Sequence, residues 1–337
     1  VLSNYKTDKF AQKITGEKGI IPEILNELLE ARDRTRKAMK DTDDPFQIKV
    51  LDGKQLAEKV TANSVYGQHG AVISTLYMKP IAASTTATGK EYLEFSRDFL
   101  EGHFNNLVNY SLDDSEQEKY YELCRIMFED IPDKKFDQPK NGFTCREEFI
   151  DKFKQVMNEL LKGYHLNVKS IYGDTDSVFY KPRITDNKTG EILKDKTALK
   201  WSIKIGVWSS IAICLVLPDP MQQVYEKVLY PFAILSKKRY VGNLYEMDPE
   251  EFFMKSMGIV LKRRDNAPIV KIVIGGIVNE ILNNKSAIGA VEYTKKVLKD
   301  ILSGKYDRDK FIITKTLKGP GLNASERISE EKKEKKD

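Results

Sequence analysis

Residues 168–180, Val-Lys-Ser-Ile-Tyr-Gly-Asp-Thr-Asp-Ser-Val-Phe-Tyr, restrict the fold more than any other stretch of the chain. Two runs rich in β-branched and aromatic residues flank a Gly-Asp-Thr-Asp centre, which predicts a β-hairpin with a tight turn. Residues two apart on an extended backbone point the same way, so Asp174 and Asp176 are expected to present their carboxylates to one side of the turn. Two hard oxygen ligands held that close suit a magnesium ion. A solvated turn explains the same residues, because Gly and Asp favour turns for local reasons. A calcium-binding EF-hand loop is excluded. It needs oxygen ligands at every second position and a Gly at the sixth, and Val178 and Phe179 stand in those places.

A chain of 337 residues can bury a sizeable core, divided among two or three substructures. Hydrophobic content of 41% and charged content of 31% fit a soluble globular protein. With 55 Lys and Arg against 50 Asp and Glu the net charge is only +5, so an argument for nucleic acid has to come from where the cations lie. Cys124, Cys145 and Cys214 are far apart and form no C-x-x-C pair, which points to reduced intracellular thiols and to neither a zinc site nor a disulfide framework. His69, His103 and His165 are equally scattered, as structural or exposed histidines are. The longest uncharged apolar stretch, Ile205 to Leu217, falls short of the roughly 20 residues that span a bilayer. Trp201, Ile205, Trp208, Ala212 and Leu215 recur at helical spacing ahead of Pro218 and Pro220, so a buried helix is predicted and no membrane partner. The first residues show no signal peptide and begin abruptly, as a fragment would.

A first helix is predicted over Ile20 to Lys40, with Pro22 near its start and an apolar stripe of Ile21, Ile24, Leu25, Leu28 and Leu29. Arg32, Arg36 and Lys40 then line one face, a pattern that a solvated surface or a bound anion would each explain. After a turn at Asp41 to Pro45, a second helix from about Asp52 to Tyr66 closes a helical hairpin and presents Gln55, Lys59, Asn63 and Tyr66 together. A third helix is expected from Ala83 to Leu100. Residues 104–164 read as a charged, irregular insertion with two short helices, and Lys181 to Lys200 as a surface loop. Two more strands, Tyr230 to Leu235 and Tyr240 to Tyr245, flank Lys237, Lys238 and Arg239; edge lysines that deter aggregation would account for the first two. An apolar strand at Gly258 to Leu261 precedes a second cationic trio, Lys262, Arg263 and Arg264. Helices follow at Pro268 to Leu282 and Ile288 to Ser303, and the Glu/Lys-rich tail from Ser329 to Asp337 is given no role.

Taken together, two of these stretches resemble family B DNA polymerases. Tyr172 to Ser177 matches the family's Y-G-D-T-D-S motif at every position, and Lys59 to Gly67 matches K-x-x-x-N-S-x-Y-G in full. Ser236 to Tyr240 resembles the K-K-x-Y element that contacts the primer–template duplex, and Phe311 to Leu317 the I-T-K-x-L element of the thumb. Gly258 to Val270 is most similar to polymerases of large eukaryotic DNA viruses. The resemblance covers about Ile20 to Leu317 apart from the insertion.

The resemblance implies an α+β fold: helical-hairpin fingers (1–67), a palm with an antiparallel sheet (68–257, insertion at 104–164), and a mostly helical partial thumb with a charged tail (258–337). It implies template-directed DNA synthesis by nucleotidyl transfer with two magnesium ions. Arg32 and Lys59 would bind the nucleotide triphosphate, with Arg36 in support and Asn63 on a phosphate oxygen, while Tyr66 would lie beneath the sugar and exclude a 2′-hydroxyl. Asp176 is the direct metal ligand in this scheme and Asp174 partly supporting. Lys237, Lys238, Arg239, Lys262, Arg263 and Arg264 would meet DNA phosphates, and Tyr240 the minor groove. The implied partners are primer–template DNA, deoxynucleoside triphosphates and a sliding-clamp processivity factor, at an intracellular site that is the host nucleus or a cytoplasmic replication site if the chain is viral. The family's D-x-x-S-L-Y-P strand, which brings a further carboxylate, has no match here; Thr75 to Pro80 lacks the acid. The exonuclease domain has none either. The chain is therefore expected to be a C-terminal fragment, inactive alone, with an exposed sheet edge. A non-catalytic DNA-binding scaffold is the competing reading, and an RNA-templated polymerase is disfavoured because its acidic hairpin usually sets two Asp side by side.

Overall fold

The computed structural model describes residues 16–262 and 266–314. Helices dominate, with two small sheets among them, so the fold is α+β. The described chain separates into two compact units, residues 16–97 with Thr175–Val178, and Asp98–Asp174 with residues 179–314.

The first unit holds helices α1 (Ile20–Lys40), α2 (Pro45–Gly70) and α3 (Lys79–Asp98). α1 has the bounds expected of it. α2 starts earlier than its apolar pattern suggests: the Asp44 side chain accepts from the Phe46 N–H at 2.9 Å, and Pro45 occupies the first turn, where its missing N–H costs nothing. The residues read as a turn are thus a turn and a helix cap in succession. α1 and α2 pack as a hairpin around Thr35, which is buried and sets its hydroxyl 3.0 Å from the Ala31 carbonyl and 3.1 Å from Glu58 Oε1.

In the second unit a π-helical turn, Phe99–Phe104, leads into α4 (Asn105–Leu112), followed by α5 (Gln117–Phe128) and α6 (Arg146–Leu161). The segment 104–164 is therefore neither irregular nor peripheral. Phe149, Phe153, Met157 and Leu161 recur on one face of α6, and all are buried. Phe149 meets Phe128 and Phe143 edge-on, each with ring centroids 5.2 Å apart. Phe128, Phe143 and Phe149 of this aromatic cluster are all fully buried.

The hairpin follows, longer at both ends than its motif: β1 (Tyr164–Asp174) and β2 (Ser177–Asp186), joined at Thr175 and Asp176. Its β1 edge is not bare, contrary to expectation. Asn105 Nδ2 donates to the Val168 carbonyl (3.0 Å) and its Oδ1 accepts the Val168 N–H (2.7 Å). Asn109 does the same to Leu166, at 2.9 and 3.0 Å, and Glu101 Oε1 accepts the Ser170 N–H at 2.6 Å. Four helical residues advance about 6 Å and two strand residues about 6.6 Å, so side chains at i, i+4 and i+8 can match a strand edge rung for rung.

The Lys181–Lys200 region is less of a loop than expected, since β2 runs to Asp186, Thr185 bridges to Ile192, and α7 (Lys196–Val216) begins at the Asp195 cap. α7 is long and apolar enough to cross a membrane by length and composition, which counting only 205–217 missed. Half of that apolar window is buried inside the unit, with Trp208 edge-on to Phe153. β3 (Val228–Ser236), β4 (Arg239–Tyr245) and β5 (Phe253–Met257) form an antiparallel sheet with β4 central. The strand near the second cationic trio is β5, not the apolar run after it. Gly258 has φ +63°, which ends the strand, and Val260–Lys262 is a 3₁₀ turn. α8 (Pro268–Leu282) and α9 (Ala287–Leu302) close the unit, and the Tyr293 ring lies so near Gly276 that a Cβ there would sit 2.0 Å from it. Phe311 to Thr314 form no strand, and Lys315 to Leu317 lie outside the described residues.

Candidate functional site

In the helical unit the expected nucleotide-binding residues fall on facing helices. Arg32 on α1, half-buried, donates from Nε to Gln55 Oε1 on α2 at 3.3 Å, and Gln55 Nε2 donates to Asp52 Oδ1 at 2.9 Å. Gln55 thus orients the guanidinium from the opposite helix. Lys59 stands one turn beyond Gln55, and Lys59, Asn63 and Arg36 are all exposed. Tyr66 is 48% exposed, with its hydroxyl 2.8 Å from Thr86 Oγ1 on α3. Thr86 spends its own proton on the Ala82 carbonyl at 2.9 Å, so Tyr66 is the donor and its ring is held by one end. The hairpin tip Thr175–Val178 belongs to this same unit, and Asp176 on it is exposed.

The extended geometry expected between the two aspartates is not found. β1 ends at Asp174, and Thr175 takes a left-handed φ of 58°, uncommon for a β-branched residue. Asp174 is instead brought to the turn between β3 and β4, where Lys238 Nζ donates to its Oδ1 at 2.5 Å. That hydrogen bond, with the charge of the carboxylate, raises the Lys238 pKa above the usual lysine range. The backbone N–H of Lys238 donates to the Tyr172 hydroxyl at 2.9 Å. Lys237 and Arg239 beside it are exposed.

Tyr240, expected in a DNA groove, packs its ring against Phe179 and Phe232, at centroid distances of 5.4 and 5.7 Å, and burial pushes its hydroxyl pKa upward. Tyr172 joins the same cluster, 5.4 Å from Phe179. Lys262 ends the 3₁₀ turn, and Arg263 and Arg264 lie outside the described residues. Sequence reasoning missed Thr86 and the Glu101–Asn105–Asn109 row, and it named Tyr172 in the acidic motif and Gly258 in an apolar run without the roles seen here. Of the two missed outright, only the row carried a local signal, three hydrogen-bonding side chains four residues apart on a helix.

The described residues contain no group of three or more His, Cys, Asp and Glu side chains that could hold a metal ion. Asp174 and Asp176 are still hard oxygen donors, and magnesium is commonly held by one or two carboxylates completed by water and phosphate. Each carboxylate on its own therefore has the chemistry of a magnesium ligand, and that of Asp174 is engaged by Lys238.

A family model described as DNA polymerase family B matches residues 3–327. The DNA polymerase of Pyramimonas orientalis virus is 35% identical over 93% of this chain and 24% of its own length. That of Acanthamoeba polyphaga mimivirus is 50% identical over 46% of this chain and 9% of its own. The DNA polymerase delta catalytic subunit of Oryza sativa subsp. japonica is 31% identical over 90% of this chain and 22% of its own. The chain spans about a quarter or less of the length of these curated relatives. The matched span takes in the braced helical hairpin, the acidic turn and the cationic turn alike, and on that breadth the chain belongs to DNA polymerase family B.

Proposed function

We propose that this chain supplies the nucleotide-binding and duplex-positioning parts of an enzyme that copies DNA, extending a primer 3′-hydroxyl with deoxynucleotides. In this reading residues 1–67 are the fingers, 68–257 the palm, with 104–164 as its structural backing, and 258–337 the start of a thumb. The observation that carries it is the Arg32–Gln55 brace, which sets two cations, Arg32 and Lys59, on facing helices of the unit that also contains Asp176.

Arg32 and Lys59 clasp the triphosphate, Arg32 as a planar fork and Lys59 as a point charge, with Arg36 beside them and Asn63 on a phosphate oxygen. Tyr66, anchored by Thr86, lies under the sugar, where its ring leaves no room for a 2′-hydroxyl. Lys237 and Arg239, with Lys262, Arg263 and Arg264, grip the duplex backbone. Tyr240 serves this from beneath, by holding the β3–β4 turn against the hairpin. Asp176, with Asp174 in support, would hold the magnesium ions, which when bound lower the pKa of the attacking hydroxyl and neutralise charge on the leaving group. A sliding-clamp partner and a host nuclear or cytoplasmic replication site complete the reading.

Primer extension titrated with nucleotide tests it, using the full-length protein and its Lys59→Ala variant. Loss of one charge-assisted phosphate contact, worth about 1.5–3 kcal/mol, should raise the half-saturating nucleotide concentration roughly 10- to 100-fold while duplex affinity stays the same. Unchanged nucleotide dependence would contradict the assignment.

A further inference from the structure

The turn between β3 and β4 is built so that one cation reaches one carboxylate. Lys238 has φ 62°, a conformation that side-chain-bearing residues seldom adopt, and two neighbours hold it there. On one side its N–H is bonded to the Tyr172 hydroxyl at 2.9 Å. On the other, Gly258 leaves space that any larger residue would fill, since a Cβ would come within 2.1 Å of the Lys238 carbonyl oxygen. From this fixed backbone Nζ reaches Asp174 Oδ1 at 2.5 Å, with the lysine side chain 70% and the aspartate 30% exposed. Lys238 belongs to the two-residue loop between the paired Ser236 and Arg239, where a left-handed residue is ordinary hairpin geometry, and an ion pair this exposed adds little stability of its own. The rings of Tyr172, Phe179, Phe232 and Tyr240 fix the turn against the hairpin, so the four-carbon stem of Lys238 is the part able to move.

We infer that Lys238 is a built-in counter-ion: its ammonium occupies the place at which a divalent cation meets Asp174, and cation binding requires Lys238 to swing away. The inference rests on reading the Asp174–Asp176 turn as a cation site. Ammonium and cation use the same carboxylate lone pairs, so they compete, and no covalent bond is made or broken. The displaced Lys238 keeps its charge and becomes available to an anion such as a DNA phosphate. Cation binding and anion binding at this turn therefore favour each other.

The test is titration of the 337-residue chain with Mn²⁺, following the free ion by electron paramagnetic resonance, in wild type, Lys238→Met, Lys238→Gly and Asp176→Asn. Met keeps the stem without the charge, and Gly relieves the left-handed backbone, so agreement between them isolates the charge. Both should bind Mn²⁺ roughly two- to fivefold more tightly than wild type, the span expected for releasing an exposed ion pair. Equal or weaker affinity in both, with wild-type binding that Asp176→Asn removes, overturns the counter-ion role and leaves the cation site standing. No bound Mn²⁺ in wild type or either Lys238 variant overturns both.

Discussion

Asn105 meets Val168 as a neighbouring strand would, donating to its carbonyl at 3.0 Å and accepting its N–H at 2.7 Å. With Asn109 and Glu101 it turns a helix face into the third rung-bearing partner of the two-stranded hairpin, closing an edge that would otherwise invite pairing with another chain. The strand that carries Asp174 is thereby placed by side chains from residues 101–109, two of them within the segment 104–164.

Replacing Asn105 by Ala leaves the Val168 N–H and carbonyl without partners. Val168 is buried, so roughly 2–4 kcal/mol of stability should be lost in urea unfolding of the chain. Asn105→Asp, which keeps the acceptor, should lose less. Equal loss in the two variants would mean that the bond accepted from the Val168 N–H contributes nothing measurable.

Gly258→Ala should displace the β3–β4 turn. The residue is left-handed at φ +63° and faces the Lys238 carbonyl, so the added methyl meets backbone that cannot rotate aside. A loss of about 1–3 kcal/mol in thermal unfolding is expected. Gly53, with nothing within 4 Å of its Cβ position, serves as the control, and Gly53→Ala should be neutral or stabilising. Equal effects at the two positions would refute the packing of Gly258 on the turn.

Alkaline pH should weaken the second unit through Tyr180. Its hydroxyl lies 2.7 Å from Ser209 Oγ, and Ser209 in turn donates to the Gly206 carbonyl at 3.0 Å, so Tyr180 is the donor. Burial pushes its pKa up to about 12 from an ordinary value of 10.0, against the smaller lowering effect of the Ser209 bond. A raised folded-state pKa means stability that is intact below pH 10 and is lost as pH climbs to about 12. Tyr180→Phe should cost about 1 kcal/mol at neutral pH and flatten that alkaline loss, measured by denaturant unfolding at successive pH values. An unchanged alkaline slope would assign the loss to other groups.

Much of this architecture was legible, and the misreadings have physical causes. Pro22 and Pro268 mark helix starts, and the Gly-Asp-Thr-Asp centre marks the hairpin, because each acts through its own backbone. Asp44 and Pro45 are favoured in turns and in helix caps alike, so the start of α2 was ambiguous. In 104–164 the charged residues masked an apolar row on α6 that obeys helical spacing. The Lys238–Asp174 contact joins residues 64 apart, and nothing local to either announces it. Gly258 was hidden differently, by sitting at the head of an apolar run that looks like a strand.

Exposed cations should dominate duplex binding. In EDTA, where Lys238 stays on Asp174, converting Lys237 and Arg239 to Gln in the full-length protein should reduce the slope of log affinity against log salt by roughly 1.8, at about 0.9 per phosphate contact. Lys238→Gln should change it less than either. A slope that ignores Lys237 and Arg239 would return these residues to the role of edge-strand lysines.

The central claim is that Asp176 serves chemistry and not grip. Its most direct measurement is single-turnover nucleotide incorporation by the full-length Asp176→Asn variant, beside its affinity for primer–template duplex. The account predicts incorporation reduced by three orders of magnitude or more, about 4 kcal/mol of lost transition-state stabilisation, with duplex affinity within about twofold of wild type. Incorporation at the wild-type rate would contradict it.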